Sequence, residues 1–454
     1  MAARVNSTHD ASLQSWVESA NDPASDFPIQ NLPFCVVERG GGSAAAPEDP
    51  RICVAIGDQL LDLLELGDAG LLGDPESDLV LSLQVDHLNL LMAQGNEAVS
   101  TLRRRLVSIL RHDSPELRDR RDLRESAMMP AAGAKWLLPA RIGDYTDFYA
   151  SIDHASNVGA MFRPDAPLLP NYKWIPIGYH GRASSIVAGG TPIRRPRGQT
   201  RPREDQPPVF GPCAMLDYEL ELGAFIAGSN AMGEHVSIGR AEDRLFGICL
   251  VNDWSARDMQ KWEYQPLGPF LAKNFATSVS PFVVTMEAIA PFRTAARARP
   301  SSDPQPLSYL LDEDDQARGG IDLMLEVWMQ SAAMREAGTP PVKLSSVNFD
   351  RMYWTLAQMV THHTSGGCNL EPGDLIASGT VSGTDRGSRG CMLELTWNGP
   401  GADPARSPIT LPTGEQRTFL ADGDEVILRG YAHREGFRRI GLGECRGLVL
   451  PARD

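Results

Sequence analysis

The chain has 454 residues, 42% of them hydrophobic, so it is long enough for more than one domain with a large buried core. Its 58 acidic residues against 43 basic ones give a formal net charge of −15, which argues against nucleic acid or an anionic membrane as the main partner. The 42 glycines and 34 prolines indicate many turns, as in a β-rich or mixed architecture.

The first third of the chain predicts a polar extension followed by a small domain. Residues 1–25 are polar and are expected to be loose. Two short apolar runs, Phe34–Glu38 and Ile52–Ile56, predict strands joined by a loop rich in Gly and Ala. Leucines then recur at helical spacing over Leu83–Leu110, which predicts a helix. The segment Met128–Lys135 has the composition of a domain boundary.

The rest of the chain predicts a large β-rich domain, in which Gly and Pro punctuate short apolar runs. The predicted strands are Met215–Phe225, Leu245–Val251, Pro281–Val284, Ile321–Gln330, Asp374–Ala377, Met392–Trp397 and Glu425–Leu428. One helix is predicted at Asn348–His363, where apolar residues recur at helical spacing.

The cysteines and the absence of long apolar segments bear on the compartment. The seven cysteines lie far apart and include no Cys-x-x-Cys pair, which argues against a structural zinc site and fits reduced thiols in the cytosol. The N-terminus has no apolar stretch typical of a signal peptide, and Leu79–Met92 is too short and interrupted to span a bilayer. We therefore expect a cytoplasmic protein.

The pair Glu219 and Glu221 lies in an alternating sequence that predicts a strand. Residues two apart on a strand point the same way, about 6.6 Å from each other. Adjacent carboxylates repel unless water or a cation screens them, and Ca²⁺ or Mg²⁺ uses such oxygens as ligands. Solvent exposure explains the pair equally well, so its meaning depends on further acids and a catalytic base.

Two polar stretches supply such groups. Asp147 stands before His154 at a spacing that could bring a metal ligand and a general base to one cleft, although a polar loop with a hydrogen-bonded histidine is the alternative. Asp253 follows an apolar strand, where helix capping would explain it as well. In the helix that would follow, a cation, an amide and a phenol share one face, which suits a substrate carboxylate. These residues are Arg257, Gln260 and Tyr264.

Three further residues have two interpretations each. Lys273 is a lone cation in a mostly apolar stretch, so it either reaches to the surface or lies at a site. Thr380 lies in a Gly-rich segment that either brings backbone N–H groups to a ligand or forms an ordinary turn. Glu394 alternates with leucines on a predicted strand, so it is either exposed or orients a histidine.

Motifs of several other enzyme classes are missing. The sequence has no Gly-x-Gly-x-x-Gly that opens a helix and no Gly-x-x-x-x-Gly-Lys-Ser/Thr, so nucleotide binding has no support. It has no Gly-x-Ser-x-Gly, which weakens a serine hydrolase. The adjacent His362 and His363 diverge by about 100° on a helix and cannot share a metal as residues four apart would.

Six stretches resemble the fumarylacetoacetate hydrolase family, in the family's order from about residue 26 to the C-terminus. They are Asp26–Pro33, Gly143–Tyr149, Gly178–Ser185, Asp217–Leu222, Asn252–Phe270 and Ser378–Gly383. The length of the matching strings makes the resemblance specific. It implies a mixed, β-rich fold in a homodimer, with a small N-terminal SH3-like barrel in residues 26–136 and a C-terminal β-roll or mixed β-sandwich catalytic domain in residues 137–454.

The resemblance also implies roles for individual residues. The ligands of one Ca²⁺ or Mg²⁺ would be Asp147, Glu219, Glu221 and Asp253, and a second site for Mg²⁺ would include Lys273 and Thr277. The general base would be His154, which Glu394 orients. The substrate contacts would be Tyr149, Arg163, Gln260, Tyr264 and Thr380. The groups around the oxyanion would be Arg257, Gln260 and Lys273.

The activity that the resemblance implies is hydrolysis of the carbon–carbon bond of fumarylacetoacetate to fumarate and acetoacetate, the last step of tyrosine and phenylalanine catabolism. Acylpyruvate hydrolysis, or hydration, isomerisation or decarboxylation of a related keto acid, are alternatives that metal carboxylates alone do not separate. A non-catalytic, metal-stabilised scaffold is an alternative from another class. The presence of both His154 and Glu394 argues against a scaffold.

Overall fold

The computed structural model describes residues 4–39 and 49–453, so the predicted Gly/Ala-rich loop at residues 40–48 lies outside the described residues. The strands of the N-terminal region are β1 (Phe34–Glu38), β2 (Pro50–Ile56), β3 (Gln59–Asp62), β4 (Met128–Pro130) and β5 (Lys135–Trp136). Its helices are α1 (Leu63–Asp68), α2 (Asp78–Leu81), α3 (Asn89–Ala93), α4 (Asn96–Leu110) and α5 (Arg121–Ala127). The strands form one antiparallel sheet in the order β4-β3-β2-β1-β5, so the segment 128–135 contributes to this sheet.

The prediction of a loose N-terminal extension is wrong for residues 4–25. A 3₁₀ turn forms at Ser7–His9, and the Asn6 side chain caps it. His9 is buried, with its Nε2 2.8 Å from the carbonyl oxygen of Glu287 in the C-terminal region. The Ser15 side chain is also buried, and its hydroxyl donates to the carbonyl oxygen of Leu110, so this segment is held against the rest of the chain although many of its polar residues are exposed.

The helix predicted over Leu83–Leu110 is broken into α3 and α4. Gly95 lies between them with a φ of 77°, in the left-handed region that favours glycine, and α4 begins directly after it. The leucine periodicity was a correct guide to the buried face of α4, since Leu102 and Leu106 lie in the N-terminal core.

The C-terminal region is mostly strands. They are β6 (Tyr145–Phe148), β7 (Gly178–His180), β8 (Ile186–Ala188), β9 (Ile193–Arg194), β10 (Arg197–Thr200), β11 (Val209–Pro212), β12 (Leu216–Asp217), β13 (Leu220–Ile226), β14 (Leu245–Asp253), β15 (Ser255–Ala256), β16 (Thr277–Val279), β17 (Val284–Thr285), β18 (Arg293–Thr294), β19 (Gly320–Ile321), β20 (Met324–Gln330), β21 (Val342–Asn348), β22 (Leu375–Ala377), β23 (Ile409–Thr410), β24 (Gln416–Arg417), β25 (Glu425–Ala432) and β26 (Ile440–Leu450). The helices are α6 (Ile152–Phe162), α7 (Ile238–Ala241), α8 (Arg257–Glu263), α9 (Glu313–Arg318), α10 (Ala332–Glu336), α11 (Leu356–Thr364) and α12 (Met392–Leu395). None of the helices within residues 4–39 and 49–453 combines the length and the apolar composition needed to cross a membrane.

Two large sheets form the body of this β-rich, mixed fold. The central sheet has the order β7-β6-β22-β13-β14-β16-β8, with β17 paired to β14. Strand β22 runs parallel to β6 and antiparallel to β13, which in turn is antiparallel to β14. The second sheet, β21-β20-β25-β26-β9, packs against it so closely that a Cβ added at Gly447 would lie 2.2 Å from the Trp254 ring. The strands β6, β13 and β14 therefore bring distant parts of the chain side by side.

Three elements differ from the sequence prediction. Glu394 lies on the short helix α12 and not on a strand, because the carboxylate of Asp217 accepts the first two backbone N–H groups of that helix. Helix α11 begins later than predicted, at a capping box formed by Thr355 and Gln358. The strand predicted at Pro281–Val284 is reduced to the short β17.

Candidate active site

Four acidic side chains, three on strands of the central sheet and one directly before a strand, converge in the protein interior. Asp147 lies on β6, Glu221 on β13 and Asp253 at the end of β14, while Glu219 directly precedes β13. All four are buried, and one carboxylate oxygen from each lies within 4.8 Å of the others. The sheet order explains this meeting, since β22 joins β6 to β13 and β13 pairs with β14.

The four acids carry more negative charge than their neighbours neutralise. The Lys273 ammonium donates to Glu219 and, at 2.7 Å, to Oδ2 of Asp253. Arg257 places Nη1 2.7 Å from Oε1 of Glu219. Among the described residues, three carboxylate oxygens of the cluster have no hydrogen-bond partner: both oxygens of Glu221 and Oδ1 of Asp147. Buried polar atoms in this state call for a partner that is not a protein atom.

The pKa values of the acids follow from this imbalance. Burial raises the pKa of Asp147 to about 8, and the Asp253 carboxylate adds to the effect. Burial and the neighbouring carboxylates raise the pKa of Glu221 well above its usual value. Burial acts in the same direction on Glu219, but the ammonium and guanidinium groups beside it outweigh burial and lower its pKa. Carboxylate oxygens that converge and repel are the ligands of a hard divalent cation, so these residues fit a metal ion.

The alternatives of helix capping for Asp253 and of a surface position for Lys273 are both wrong. Oδ1 of Asp253 accepts from the Thr277 hydroxyl at 2.7 Å, and Oδ2 accepts from the Tyr179 hydroxyl at 2.8 Å, while α8 begins further along the chain. Lys273 is buried; burial would lower its pKa, but Asp253 and Glu219 raise the pKa above its usual value. Its Nζ is therefore a protonated donor and not a metal ligand, and a second ion beside Lys273 and Thr277 stays a prediction.

His154 and Glu394 form a buried hydrogen-bonded pair. His154 lies on α6, whose N-cap Ser151 accepts its backbone N–H. Its Nδ1 is 2.6 Å from Oε2 of Glu394, which is fully buried, so the exposed alternative for Glu394 is wrong. Burial would raise the pKa of Glu394, but His154 and further donors outweigh it and lower the pKa. An ionised carboxylate at Nδ1 holds the tautomer in which Nε2 can accept a proton.

The thiol of Cys391 also lies close to this pair, so a histidine, a cysteine and a glutamate form one cluster. The distance of 2.6 Å between the histidine nitrogen and the glutamate oxygen is that of a hydrogen bond. Two such ligands of one tetrahedral zinc ion would lie about 3.3 Å apart. We therefore interpret the group as a hydrogen-bonded dyad and not as a metal site.

Some predicted substrate and oxyanion groups lie close to one another. On α8, Nη1 of Arg257 donates to Oε1 of Gln260 at 3.1 Å, as expected for residues on one helical face. Nη2 of Arg257 is buried and has no hydrogen-bond partner among the described residues. The Tyr149 ring meets the His154 ring edge-on, with centroids 5.2 Å apart.

The other predicted substrate groups have different surroundings. Thr380 is buried, and its hydroxyl has no partner among the described residues. It follows Gly379, where an added Cβ would lie 2.1 Å from the backbone oxygen of Phe148, so this segment makes a close approach to β6. Arg163 and Tyr264 lie at exposed positions at the ends of α6 and α8. Contact of these residues with a substrate stays a prediction.

Asp217 connects Arg257, beside the acidic cluster, with helix α12, which carries Glu394 of the dyad. It was not among the site residues predicted from the sequence. Its Oδ1 accepts from the backbone of Tyr218 and Met392, and its Oδ2 accepts from the backbone of Leu393 and from Nε of Arg257, all at 2.8–3.0 Å. The residue is fully buried. A signal was present in the sequence, because Asp217 opens one of the family-like strings, but its partners lie far away in the chain.

Asp217→Ala is expected to lower the free energy of unfolding by about 3–5 kcal/mol, because it leaves the buried Arg257 without one partner and two helical N–H groups without an acceptor. Chemical denaturation of the metal-free protein measures this effect. The control Asp205→Ala removes an exposed carboxylate paired with Arg203 and should change the free energy by less than about 1 kcal/mol. Equal effects of the two substitutions would contradict the connecting role of Asp217.

Known proteins with similar sequences cover nearly the whole chain. The proteins named fumarylacetoacetase from Bos taurus and Homo sapiens are each 47% identical to it over 444 residues, 96% of this chain and 99% of theirs. The one from Oryza sativa subsp. japonica is 45% identical over 441 residues, 97% of this chain and 98% of its own. The solved structure of a fumarylacetoacetate hydrolase from Exiguobacterium antarcticum shares the fold, with a TM-score of 0.50 at 18% identity, over 93% of this chain and 100% of that one.

Sequence models of two protein-family domains also match. The one described as fumarylacetoacetase N-terminal matches residues 30–139, which contain the five-stranded sheet. The one described as fumarylacetoacetate (FAA) hydrolase C-terminal matches residues 145–450, which contain the acidic cluster and the dyad. This chain therefore belongs to the fumarylacetoacetate hydrolase family.

Proposed function

We propose that this chain hydrolyses the carbon–carbon bond of 4-fumarylacetoacetate to fumarate and acetoacetate, the last step of tyrosine and phenylalanine catabolism. The observation that carries the proposal is the buried dyad of His154 and Glu394 together with a four-carboxylate cluster, in a chain 47% identical over 96% of its length to named fumarylacetoacetases. A scaffold without catalysis would not need a buried, oriented histidine.

The residues of the dyad supply the base. With Nδ1–H bonded to Glu394, Nε2 of His154 takes a proton from water, whose oxygen then attacks the carbonyl carbon next to the fumaroyl double bond. The bond from that carbon to the methylene group between the two ketone carbonyls of the substrate breaks, and this methylene carbon takes up a proton and becomes the methyl group of acetoacetate. Addition of water therefore accounts for both products.

Cationic and amide donors surround the place where negative charge develops. Arg257 offers the buried Nη2, which has no protein acceptor within the described ranges, and Gln260 lies against the same guanidinium group. Lys273 is a buried ammonium between two of the acids. Fixed donors in a site that excludes water stabilise an oxyanion at little cost in reorganisation.

A divalent ion, Ca²⁺ or Mg²⁺, would be held by Asp147, Glu219, Glu221 and Asp253. When bound, it supplies Lewis-acid polarisation of a substrate carbonyl and compensates the charge of the acids. We assign a second Mg²⁺ to the neighbourhood of Asp253, Lys273 and Thr277, with oxygen atoms and not Nζ as the ligands. We assign contacts with the bound substrate to Tyr149, Arg163, Gln260, Tyr264 and Thr380.

Turnover of fumarylacetoacetate by the purified protein tests the proposal. With Mg²⁺ or Ca²⁺ present, we expect loss of the substrate absorbance and release of fumarate, and a chelator should stop the reaction until metal is returned. An acylpyruvate of similar size serves as the competing substrate. Good activity on the acylpyruvate without turnover of fumarylacetoacetate would favour the related hydrolase instead.

The same family membership leads us to propose a homodimer in the cytoplasm, with residues 26–136 as the N-terminal domain and 137–454 as the catalytic domain. The large apolar side chains of Phe210, Leu267 and Phe270 are exposed on the single chain, which supports an interface between two copies. All seven cysteines are free thiols, which supports a reducing compartment. Light scattering of the purified protein tests the dimer, and the mass of a single chain would contradict it.

A further inference from the structure

Glu394 carries its charge in a place that water does not reach. The residue is fully buried, and the residue that faces it, His154, must be neutral before it can accept a proton. In that state the dyad contains a buried carboxylate without a cationic partner in the pair. A carboxylate without compensation in such a place tends to take up a proton. A protonated Glu394 would no longer hold the N–H at Nδ1 of His154.

Three uncharged side chains donate hydrogen bonds to this carboxylate. Asn157 Nδ2 is 2.7 Å from Oε1, and Ser382 Oγ is 2.8 Å from Oε2. The Cys391 thiol donates to Oε2 over 3.2 Å. The Gly390 N–H donates to the Ser382 hydroxyl oxygen at 2.9 Å, which leaves the hydroxyl hydrogen for Glu394. Asn157 comes from α6, one turn after His154, whereas Ser382 and Cys391 come from the segment between β22 and α12.

We propose that Asn157, Ser382 and Cys391 are positioning residues that keep Glu394 ionised while His154 is neutral. The proposal rests on the function proposed above, in which His154 is the base. The three donors replace the hydration shell that an exposed carboxylate would have. Because they are uncharged, they stabilise the anion in every step without adding a proton or a net charge to the dyad.

The dyad has two states that differ by one proton on His154, and a change in their relative free energies shifts the pH at which the dyad takes up that proton. Loss of one donor destabilises the carboxylate most when His154 is neutral, because the imidazolium ion compensates for the loss when His154 is charged. The pair then takes up its proton at a higher pH. The other titratable and charged groups around Glu394 and Cys391 are Tyr149, Tyr218, Asp217, Arg257, Glu219 and Arg406, with Arg389 at the backbone of Glu394. None of these groups is altered by the substitutions below.

The test uses Asn157→Leu and Cys391→Ala, each of which removes one donor, and Cys391→Ser, which keeps a donor. The protonation midpoint of the dyad is measured on the His154 ring by NMR with ¹³C-labelled histidine at saturating Mg²⁺. The signal is identified by its loss in His154→Ala, and no substrate is needed. We expect the midpoint to rise by about one pH unit in the first two variants and to stay near the wild-type value in Cys391→Ser.

The acid limb of the pH profile of kcat/KM should move by the same amount in the same direction. A merely structural role would lower activity by one factor at all pH values and leave the midpoint in place. An unchanged midpoint in Asn157→Leu and Cys391→Ala overturns the proposal; if Asn157→Leu does not fold, the comparison of Cys391→Ala with Cys391→Ser decides.

Ser156→Ala is the control, because Ser156 lies on the same helix and is not one of the donors to Glu394. Its midpoint should equal that of the wild type, and a shift as large as that of Asn157→Leu would overturn the proposal. The NMR measurement also distinguishes a failure of the positioning role from a failure of the proposed function. Shifted midpoints in a protein that does not hydrolyse fumarylacetoacetate would support the positioning role and reject the proposed substrate.

Discussion

His154→Ala is expected to lower kcat by about 10²–10⁴-fold, because general-base catalysis by a positioned side chain contributes an acceleration of this size. The substitution removes Nε2, the atom that Glu394 orients toward the incoming water through Nδ1. Binding of Mg²⁺ or Ca²⁺ should stay as in the wild type, because His154 is not part of the four-carboxylate cluster. Steady-state kinetics with fumarylacetoacetate and calorimetric metal titration measure the two effects on the same preparation.

The double variant His154→Ala/Glu394→Gln tests whether Glu394 acts through His154. If Glu394 acts through His154, the double variant should be no slower than His154→Ala alone, because residues that act as a unit are not additive. His433→Ala removes an exposed histidine and is the matched control, with unchanged kcat expected. An active His154→Ala variant would show that another group is the base.

Glu221→Gln is expected to abolish metal binding and to reduce turnover to the level of the chelated wild-type protein. Neither oxygen of Glu221 has a hydrogen-bond partner among the described residues, and Asp147 and Glu219 lie beside it, so the neutral amide removes a metal ligand while relieving repulsion. Metal at about 100 times its Kd should stabilise the wild type by about 2.7 kcal/mol, and this gain should be missing in the variant. Thermal unfolding with and without Mg²⁺ or Ca²⁺ measures it.

Thermal unfolding of Glu221→Gln is expected to give a different result when no metal is present. Without metal, Glu221→Gln should unfold at the same temperature as the wild type or at a higher one, because the neutral amide replaces a carboxyl group whose ionised form is destabilised by burial and by the neighbouring acids. Glu336→Gln, at an exposed position of α10, is the matched control and should keep both turnover and the metal-dependent gain. A variant that loses stability without metal and keeps the gain with metal would contradict the assignment of Glu221 as a ligand.

The sequence predicted the class of fold, and its resemblance to a known family predicted which residues meet in the acidic cluster and in the dyad. Strand periodicity identified β1, β14 and β20 within a few residues, because alternation and apolar runs are local properties of the chain. The family resemblance implied His154 and Glu394 as a pair, and their side chains do meet. Such patterns can be recognised in the sequence without knowing which distant segments are in contact.

Only the tertiary structure decided between the alternatives that the sequence left open. Lys273 is buried because it pairs with Glu219 and Asp253. Glu394 lies in a helical turn instead of a strand because Asp217 accepts the N–H groups of the two residues before it. Each of these contacts joins segments that are at least 20 residues apart in the chain and belong to different elements or turns. Charge and periodicity within one segment cannot show such partners, since the free energy of a buried polar group depends on which groups the fold places beside it.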